Sequence, residues 1–426
     1  MLDLRPKKAF DGSALSKVAH LPMRYPRAAR IRVLHIGKYY PPYRGGMESH
    51  LESISNELNR LVDLEVIVAN TGWRTEKEIV DGVRVTRVGK LFDLQSAPIC
   101  PDLVRKIRAA KSDIIHIHWP NPGALLAYLA SGHRGKLVLT YHSDVVRQRT
   151  LAAAFTPILR AALNRAAAII VSSPNYIGGS YVLPEFRSRC RVIPFGVSGD
   201  YFDQFDPNAV SRIREEYGPR IVLGVGRMVY YKGFEHLVRA MAQVDAHLLL
   251  IGRGPLREPL TELAADLGLA DRITFLTEVN DIRPYYQAAD VFVLSSIMRS
   301  EAFGIVQLEA MASGKPVINT ELDSGVTFVS PHGVSGLTVP PADSVALSQA
   351  MSQLLDQPNW RMELGAGARQ RIADNFTVDR MVQATFKLYQ DVMGQRSELR
   401  GQRTDVGGET SEVRSQKAEI GQGATA

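Results

Sequence analysis

Apolar residues occur along this chain in short runs separated by polar loops and amphipathic stretches, and the runs fall into two series. Residues 31–37, IRVLHIG, predict a short buried strand, and after a Pro-rich loop a helical pattern runs from residue 47 to about 59. Further strands are predicted over 64–69, 83–88, 113–118, 137–142 and 168–172, with helices between several of them. The second series places strands over 221–225, 247–251, 273–275, 291–295 and 316–319, each followed by a helical or turn-like stretch. Alternation of this kind predicts an α/β fold whose mostly parallel sheets are covered on both faces. Between the series, residues 194–219 are rich in Gly, Pro and Asp and lack long apolar periodicity, which places the interdomain linker at 196–219. The expected molecule is two Rossmann-like, doubly wound domains, 31–195 and 220–376, facing each other across a cleft, with a helix over 377–394 crossing back to the first. Ligands of such sheets bind beyond the carboxyl ends of the strands, so site residues belong in the loops that follow strands.

Composition agrees with that division and limits the partners. A chain of 426 residues exceeds what one core usually supports, and 45% hydrophobic against 22% charged residues supplies two cores without a sign of global disorder. Only Cys100 and Cys190 are present, far apart, which fits free thiols in a reducing, cytoplasmic compartment better than a disulfide scaffold. The net charge of +7 favours an acidic partner, and nucleic acid, anionic lipid and phosphorylated small molecules all qualify. Arg5, Lys7, Lys8, Lys17, Arg24, Arg27 and Arg30 make residues 1–30 a basic, loosely ordered arm without the apolar block of a signal peptide. No apolar run reaches the roughly eighteen residues of a membrane span. The nearest, 151–171, is interrupted by Arg160, Asn164 and Arg165. The polar, Gly-rich tail 395–426 is expected to be disordered.

Candidate chemistry concentrates in VFVLSSIMRSEAFGIVQLEAMASGKPVIN, residues 291–319, where an apolar strand gives way to a polar loop, a glycine and a helix. Glu301 lies in the loop, Gly304 permits close backbone approach, and the amides of Phe303, Gly304 and Ile305 at the helix start form a natural anion site. Glu309 follows eight residues after Glu301, about two helical turns, so both carboxylates can face one side of the cleft. In VLGVGRMVYYKGFEHLVRAM, residues 222–241, Arg227 and Lys232 flank one loop. Fixed cations of this kind are what a metal-free enzyme needs to stabilise a leaving group that gains negative charge. KYYPPYRGGMESH sets Gly45 and Gly46 immediately before a helix, where the backbone can approach a diphosphate or an acceptor. Three histidines end strands: His116 and His118 in DIIHIHWPNPG and His142 in LVLTYHSDVV. Alternation puts His116 and His118 on one face, with His118 nearer the carboxyl end and His116 a structural group. Arg147, Arg149, Arg160 and Arg165 make the Ala-rich segment a basic amphipathic stretch, suited equally to anionic lipid and to a solvated helix face.

Glu301 and Glu309, with Ala302, Phe303 and Gly304 after the first, resemble the E-x7-E motif of the family 4 glycosyltransferases. Arg227 and Lys232 resemble that family's G-R-x(n)-K-G donor-diphosphate element, and Gly45 with Gly46 its glycine-rich loop. The resemblance covers about residues 31–393. The strings HIGKYYPPYRGGMESH, TYHSDVV and NTELDSGVTFVSPHGVSGLTVPP are similar to bacterial enzymes of exopolysaccharide and O-antigen assembly, many of them mannosyltransferases. What it implies is a GT-B fold and retaining, metal-independent transfer from a nucleotide diphosphate sugar, GDP-mannose first. The acceptor it implies is a lipid-diphosphate-linked or oligosaccharide precursor, met at the inner face of the plasma membrane. It also implies roles: Glu301 and the amides through Ile305 on the donor sugar, Glu309 on the ribose, Arg227 and Lys232 on the diphosphate, and His118 and His142 beside the sugar.

Other chemistries lack their residues. No D-x-D triplet occurs and no Cys/His cluster has ligand spacing, so no metal cofactor is expected. A G-x-S-x-G elbow, a Walker-type loop and a basic–aromatic nucleic-acid module are likewise missing, which excludes a nucleic-acid partner. Three rivals remain: a UDP-sugar-dependent transferase of glucose, galactose or N-acetylhexosamine, an epimerase or phosphorylase on the same scaffold, and a non-catalytic nucleotide-sugar binder.

Overall fold

The computed structural model describes residues 30–43, 45–94, 97–145 and 149–394, without the side chains of 149–154. The basic arm before Arg30, Arg147, the side chain of Arg149 and the tail 395–426 lie outside the described residues.

The first lobe is built on β1 (Arg32–Ile36), β2 (Asp63–Ala69), β3 (Glu76–Val80) and β4 (Val83–Val88). A small hairpin of β5 (Phe92–Leu94) and β6 (Ala97–Ile99) follows, then β7 (Ile114–Trp119), β8 (Lys136–Tyr141), β9 (Ala166–Val171) and β10 (Cys190–Val192). Eight of these strands form one sheet in the order β10-β9-β8-β7-β1-β2-β4-β3, parallel except for β3 against β4. The second lobe carries β11 (Ile221–Val225), β12 (His247–Ile251), β13 (Ile273–Leu276), β14 (Val291–Leu294), β15 (Val317–Thr320) and β16 (Gly336–Val339). Its order is β13-β12-β11-β14-β15-β16, parallel throughout. In each sheet the strand order reverses beside the first strand of the lobe, which opens a crevice at the carboxyl ends of β1 and β7 and of β11 and β14.

Every strand expected from the apolar runs recurs, with ends shifted by at most two residues. The strands that periodicity did not reveal are β3, β5, β6, β10 and β16. β3 and β5 are largely exposed, so no apolar face marks them. β16 opens on Gly336 at φ +158, where a Cβ would lie 1.8 Å from Val317 O, so a glycine sits where the pattern needs a side chain. Residues 196–219 are also less irregular than their composition implies. They hold helices Gly199–Asp203 and Pro207–Tyr217, the second capped by Asp206 on Asn208 N at 2.9 Å. Only Ile213 of that longer helix is buried, which is why no periodicity announced it.

Packing follows the alternation of the strands. Leu34, Ile36, Ile115 and Ile117 point to one face of the first sheet, where helices Leu103–Ala109 and Pro122–Ser131 cover them. Val33, Ile114 and Val138 point to the other, beneath helix Gly46–Leu58 and a last helix over 378–394. That last helix follows the second lobe in sequence yet packs on the first. The chain passes between the lobes twice, side by side: Val197 N donates to Phe376 O at 2.8 Å, and a Cβ on Gly196 would lie 2.4 Å from Thr377 O.

Candidate active site

The wall supplied by the second lobe is charged. Loops following β11 and β14 are pressed together, because Gly233 adopts φ +63 and a Cβ there would lie 2.2 Å from Ser295 O. The contact brings Lys232 Nζ to 2.6 Å from Glu301 Oε2, with both side chains at most 10% exposed. Ser296 Oγ donates to the same carboxylate oxygen at 2.9 Å, and Ser295 Oγ donates to Lys232 O at 3.0 Å. Arg227, from the same loop as Lys232, is exposed and forms no ion pair with a described residue. Helix Ile305–Ala312 begins at Gly304, φ +73 and ψ +63, and its first internal bond runs from Gln307 N to Gly304 O at 2.9 Å. The amides of Phe303, Gly304 and Ile305 therefore precede the internal ladder. Ala302 and the Phe303 ring are buried, the ring packing against Phe195 and Phe376, so their backbone is what they can offer a ligand. Tyr286 OH donates to Glu309 Oε2 at 2.7 Å. Burial pushes the Glu309 carboxyl pKa up, opposed by that hydrogen bond and by the charge of Lys232.

The facing wall begins with the glycine pair. Gly45 is extended, and a Cβ on Gly46 would sit 3.8 Å from Ile305 Cδ1, which sets the first residue of helix Gly46–Leu58 directly across from the first residue of helix Ile305–Ala312. Burial lowers the Lys38 pKa and raises that of Glu48, each moderated by the other, and the charge of Arg227 reaches both across the cleft.

Behind this rim lies a group of histidines. Adjacent strands β1, β7 and β8 place His35, His116, His118, Thr140 and His142 on one face, with His35 in register with His116 and His118 with Thr140. His50 arrives from helix Gly46–Leu58, and all five histidines are at most 6% exposed. His116 Nε2 meets Thr140 Oγ1 at 2.6 Å, and the Tyr389 hydroxyl bridges His116 Nδ1 and His35 Nε2 at 2.5 and 2.8 Å. His35 Nδ1 is 3.3 Å from His118 Nε2, and His118 Nδ1 is 3.1 Å from His142 Nε2. Both nitrogens of His118 are thus engaged within the protein, and the nitrogen left without a described partner at the outer end is His142 Nδ1. His50 Nε2 is buried without a hydrogen bond. Burial lowers the pKa of His35 and His50 to about 3 and holds the other three well below the usual histidine range, so all five are neutral near pH 7. Two triads, His35–His116–His118 and His50–His118–His142, have ligand nitrogens within 4.8 Å of one another, a set that could hold a transition metal. Linear spacing gave no hint of this, because the fold gathers them from residues 35 to 142. The available signal was a histidine at alternating positions of three otherwise apolar strands.

A second pair escaped the sequence. Arg299, two residues before Glu301, reaches Asp144, two residues after His142, at 2.9 Å between Nη2 and Oδ2. The two meet at ion-pair distance without the alignment of a hydrogen bond. Asp144 Oδ1 accepts from Tyr141 OH and Ser180 Oγ at 2.7 and 2.8 Å, which holds this carboxylate in place. The pair ties the loop of Glu301 to the loop of His142 across the cleft.

Residues 44–200 match Glycosyltransferase Family 4, and residues 208–371 match the glycosyl transferases group 1 family. The chain is 32% identical to O-antigen chain mannosyltransferase C of Escherichia coli over 86% of its own length and 100% of that protein. It is 33% identical to D-rhamnosyltransferase WbpZ of Pseudomonas aeruginosa over 82% of its length and 92% of that protein. Among solved structures, sucrose-phosphate synthase of Thermosynechococcus elongatus superposes with a TM-score of 0.72 at 24% identity, covering 85% of this chain and all of the other, and so shares its two-lobed GT-B fold.

Proposed function

Because this chain belongs to glycosyltransferase family 4, we propose that it transfers mannose, with retention of configuration, from GDP-mannose to a lipid-linked or oligosaccharide precursor of a surface polysaccharide. The observation that carries this reading is the buried Lys232–Glu301 pair at 2.6 Å, set beside the start of helix Ile305–Ala312 with Arg227 unpaired at its edge. Such a wall suits a diphosphate. Arriving phosphate oxygens draw Lys232, Arg227 and the amides of Phe303, Gly304 and Ile305, and the released Glu301 carboxylate accepts from hydroxyls of the sugar. Glu309, on the same helix, takes the ribose.

As the glycosidic bond breaks, the bonding pair leaves with the diphosphate, and the cations stabilise the charge that develops on it. The acceptor hydroxyl attacks from the same face and gives its proton to the departing phosphate oxygen. His142 borders the sugar, and His118 acts through it. Fixed protein cations take the place of a metal, so transfer is expected to survive excess EDTA. A cavity of about 300 Å³ lies beside Gly37 and Lys38, lined by apolar residues including Ile67, Val88, Ile99, Leu103 and Leu126; it suits the lipid segment of the acceptor. No described helix is long and apolar enough to cross a membrane. In the proposed reaction the acceptor is met at the membrane's inner face.

The D-rhamnosyltransferase relative favours one second reading, a donor of the 6-deoxy sugar. A thermal-shift panel of GDP-mannose, GDP-D-rhamnose and UDP- and ADP-sugars, followed by analysis of the products' anomeric configuration, separates the possibilities. GDP-mannose should give the largest shift and an α-linked product. A larger shift with a UDP-sugar, or an inverted or epimerised product, refutes the proposal.

A further inference from the structure

The hydrogen bonds from Thr140 to His142 form one unbranched chain: Thr140, His116, Tyr389, His35, His118, His142, with contacts of 2.5 to 3.3 Å. A neutral imidazole carries one N–H and one lone pair, and a phenol carries one O–H, so each link restricts the next. If His116 Nδ1–H donates to Tyr389, the tyrosine must donate to His35 Nε2. His35 Nδ1–H then donates to His118 Nε2, and His118 Nδ1–H donates to His142 Nε2. His142 is left with its proton on Nδ1, at the outer end. Reversing any link reverses all of them. The four histidines of the chain are therefore all Nδ1–H or all Nε2–H. A mixed set would leave two lone pairs, or two protons, facing each other, or the Tyr389 O–H without an acceptor, in a fully buried place. Tyr389 is the only non-imidazole member inside the chain, and its hydroxyl, 0% exposed, has no third described partner to take its proton elsewhere.

We propose that Tyr389, from the last described helix, is a positioning residue that couples His116 to His35, so that His35, His116, His118 and His142 hold one common tautomer and the proton His142 turns toward the cleft is set together with the whole chain. Burial keeps the Tyr389 phenol protonated and the histidines neutral, which the lock requires. A phosphate or carbonyl oxygen beside His142 Nδ1 selects the all-Nδ1–H state, whereas a hydroxyl that donates there selects the all-Nε2–H state. The effect on transfer rests on the reading of His142 as a cleft residue, but the lock itself does not.

The test is histidine-selective 15N labelling of the full chain, with two-bond 1H–15N spectra that report the tautomer of each ring. In the unaltered protein His35, His116, His118 and His142 should share one tautomer, and a mixed set overturns the proposal without any variant. In Tyr389→Phe, His116 should lose its common tautomer with His35, His118 and His142, which stay linked to one another, and the balance of tautomers at His118 and His142 should shift although neither touches residue 389. The kcat should fall about 10-fold while the donor KM changes little, since only a proton's position has altered. Unchanged tautomers at His118 and His142, with only a lower Tm, would mean that Tyr389 merely fills the core and would overturn the lock. Equimolar Zn2+ that moves the His50, His118 and His142 signals together would also overturn it, because a metal takes the lone pairs the chain needs. A shared tautomer in a protein inert toward every donor upholds the lock and refutes the transferase reading alone.

Discussion

The two walls of the cleft meet opposite requirements with opposite materials. The second lobe buries a full ion pair, Lys232 with Glu301, and leaves Arg227 unpaired beside it. The first lobe buries five imidazoles, and the same exclusion of water keeps every one of them uncharged. One wall thus carries fixed charge and the other directed but neutral hydrogen bonds. Charge suits an anionic leaving group, whereas neutral donors and acceptors suit hydroxyls whose arrangement matters more than their attraction.

The largest effect that could break this comparison is on acid stability. Histidine pKa values lowered by burial mean that the unfolded chain takes up protons at these five positions as pH falls below about 6.5, while the five native imidazoles take none. The stability is fully present above that pH and is lost downward, with His35 and His50 staying neutral to about 3. Each buried histidine then removes roughly 1.4 kcal/mol per pH unit. Thermal melts from pH 7.5 to 5.5 should drop steeply, and a flat profile would show the imidazoles to be already charged or solvated. Next in size, Lys232→Ala should lower kcat by about 10²- to 10³-fold, the range for deleting one preorganised donor to a developing anion. Glu301→Gln keeps the shape of the pair and should lose less. A loss below 10-fold for Lys232→Ala would assign the charged wall to structure alone.

These expectations draw on regions that were not equally legible in the sequence. The strand–loop–helix carrying Glu301, Gly304 and Glu309 is contiguous, so local apolar runs and one glycine sufficed to place it. Lys232 could be assigned to a loop after a strand, but its partner could not, because the Lys232–Glu301 contact depends on β11 lying beside β14. His118 and His142 were found as strand ends. His35, His50 and Tyr389 were not, since they come from a strand, a helix and the last helix and meet only in three dimensions. Expecting His118 to touch the sugar overlooked that neighbours would engage both of its nitrogens. Asp144 and Arg299 read as ordinary loop charges until the lobes face each other.

That last pair sharpens the comparison at the point where the walls join. Arg299→Ala removes the tie between the loops of Glu301 and His142 and should reduce kcat/KM about 10-fold, mainly through KM, if positioning is its role. Equal activity would show that the walls hold their relation without it. The smallest effect concerns Glu309. Its raised pKa means that its ionisation opposes folding as pH rises from the unfolded value through the folded one, so the stability is present below that window and lost above it. Glu309→Gln should therefore raise Tm more at pH 7 than at pH 4.5, while weakening binding of the nucleotide. A Tm gain independent of pH would place the carboxylate in solvent.

Helix 378–394 has a consequence for how the chain is made. During vectorial synthesis the strands bearing His35, His116 and His142 emerge first, yet the side chain that covers His35 and His116 belongs to residue 389 and follows the whole second lobe. Until the ribosome has delivered it, the nascent first lobe carries an open, polar-lined face, so the early-made half cannot reach its final form before the late-made one is finished.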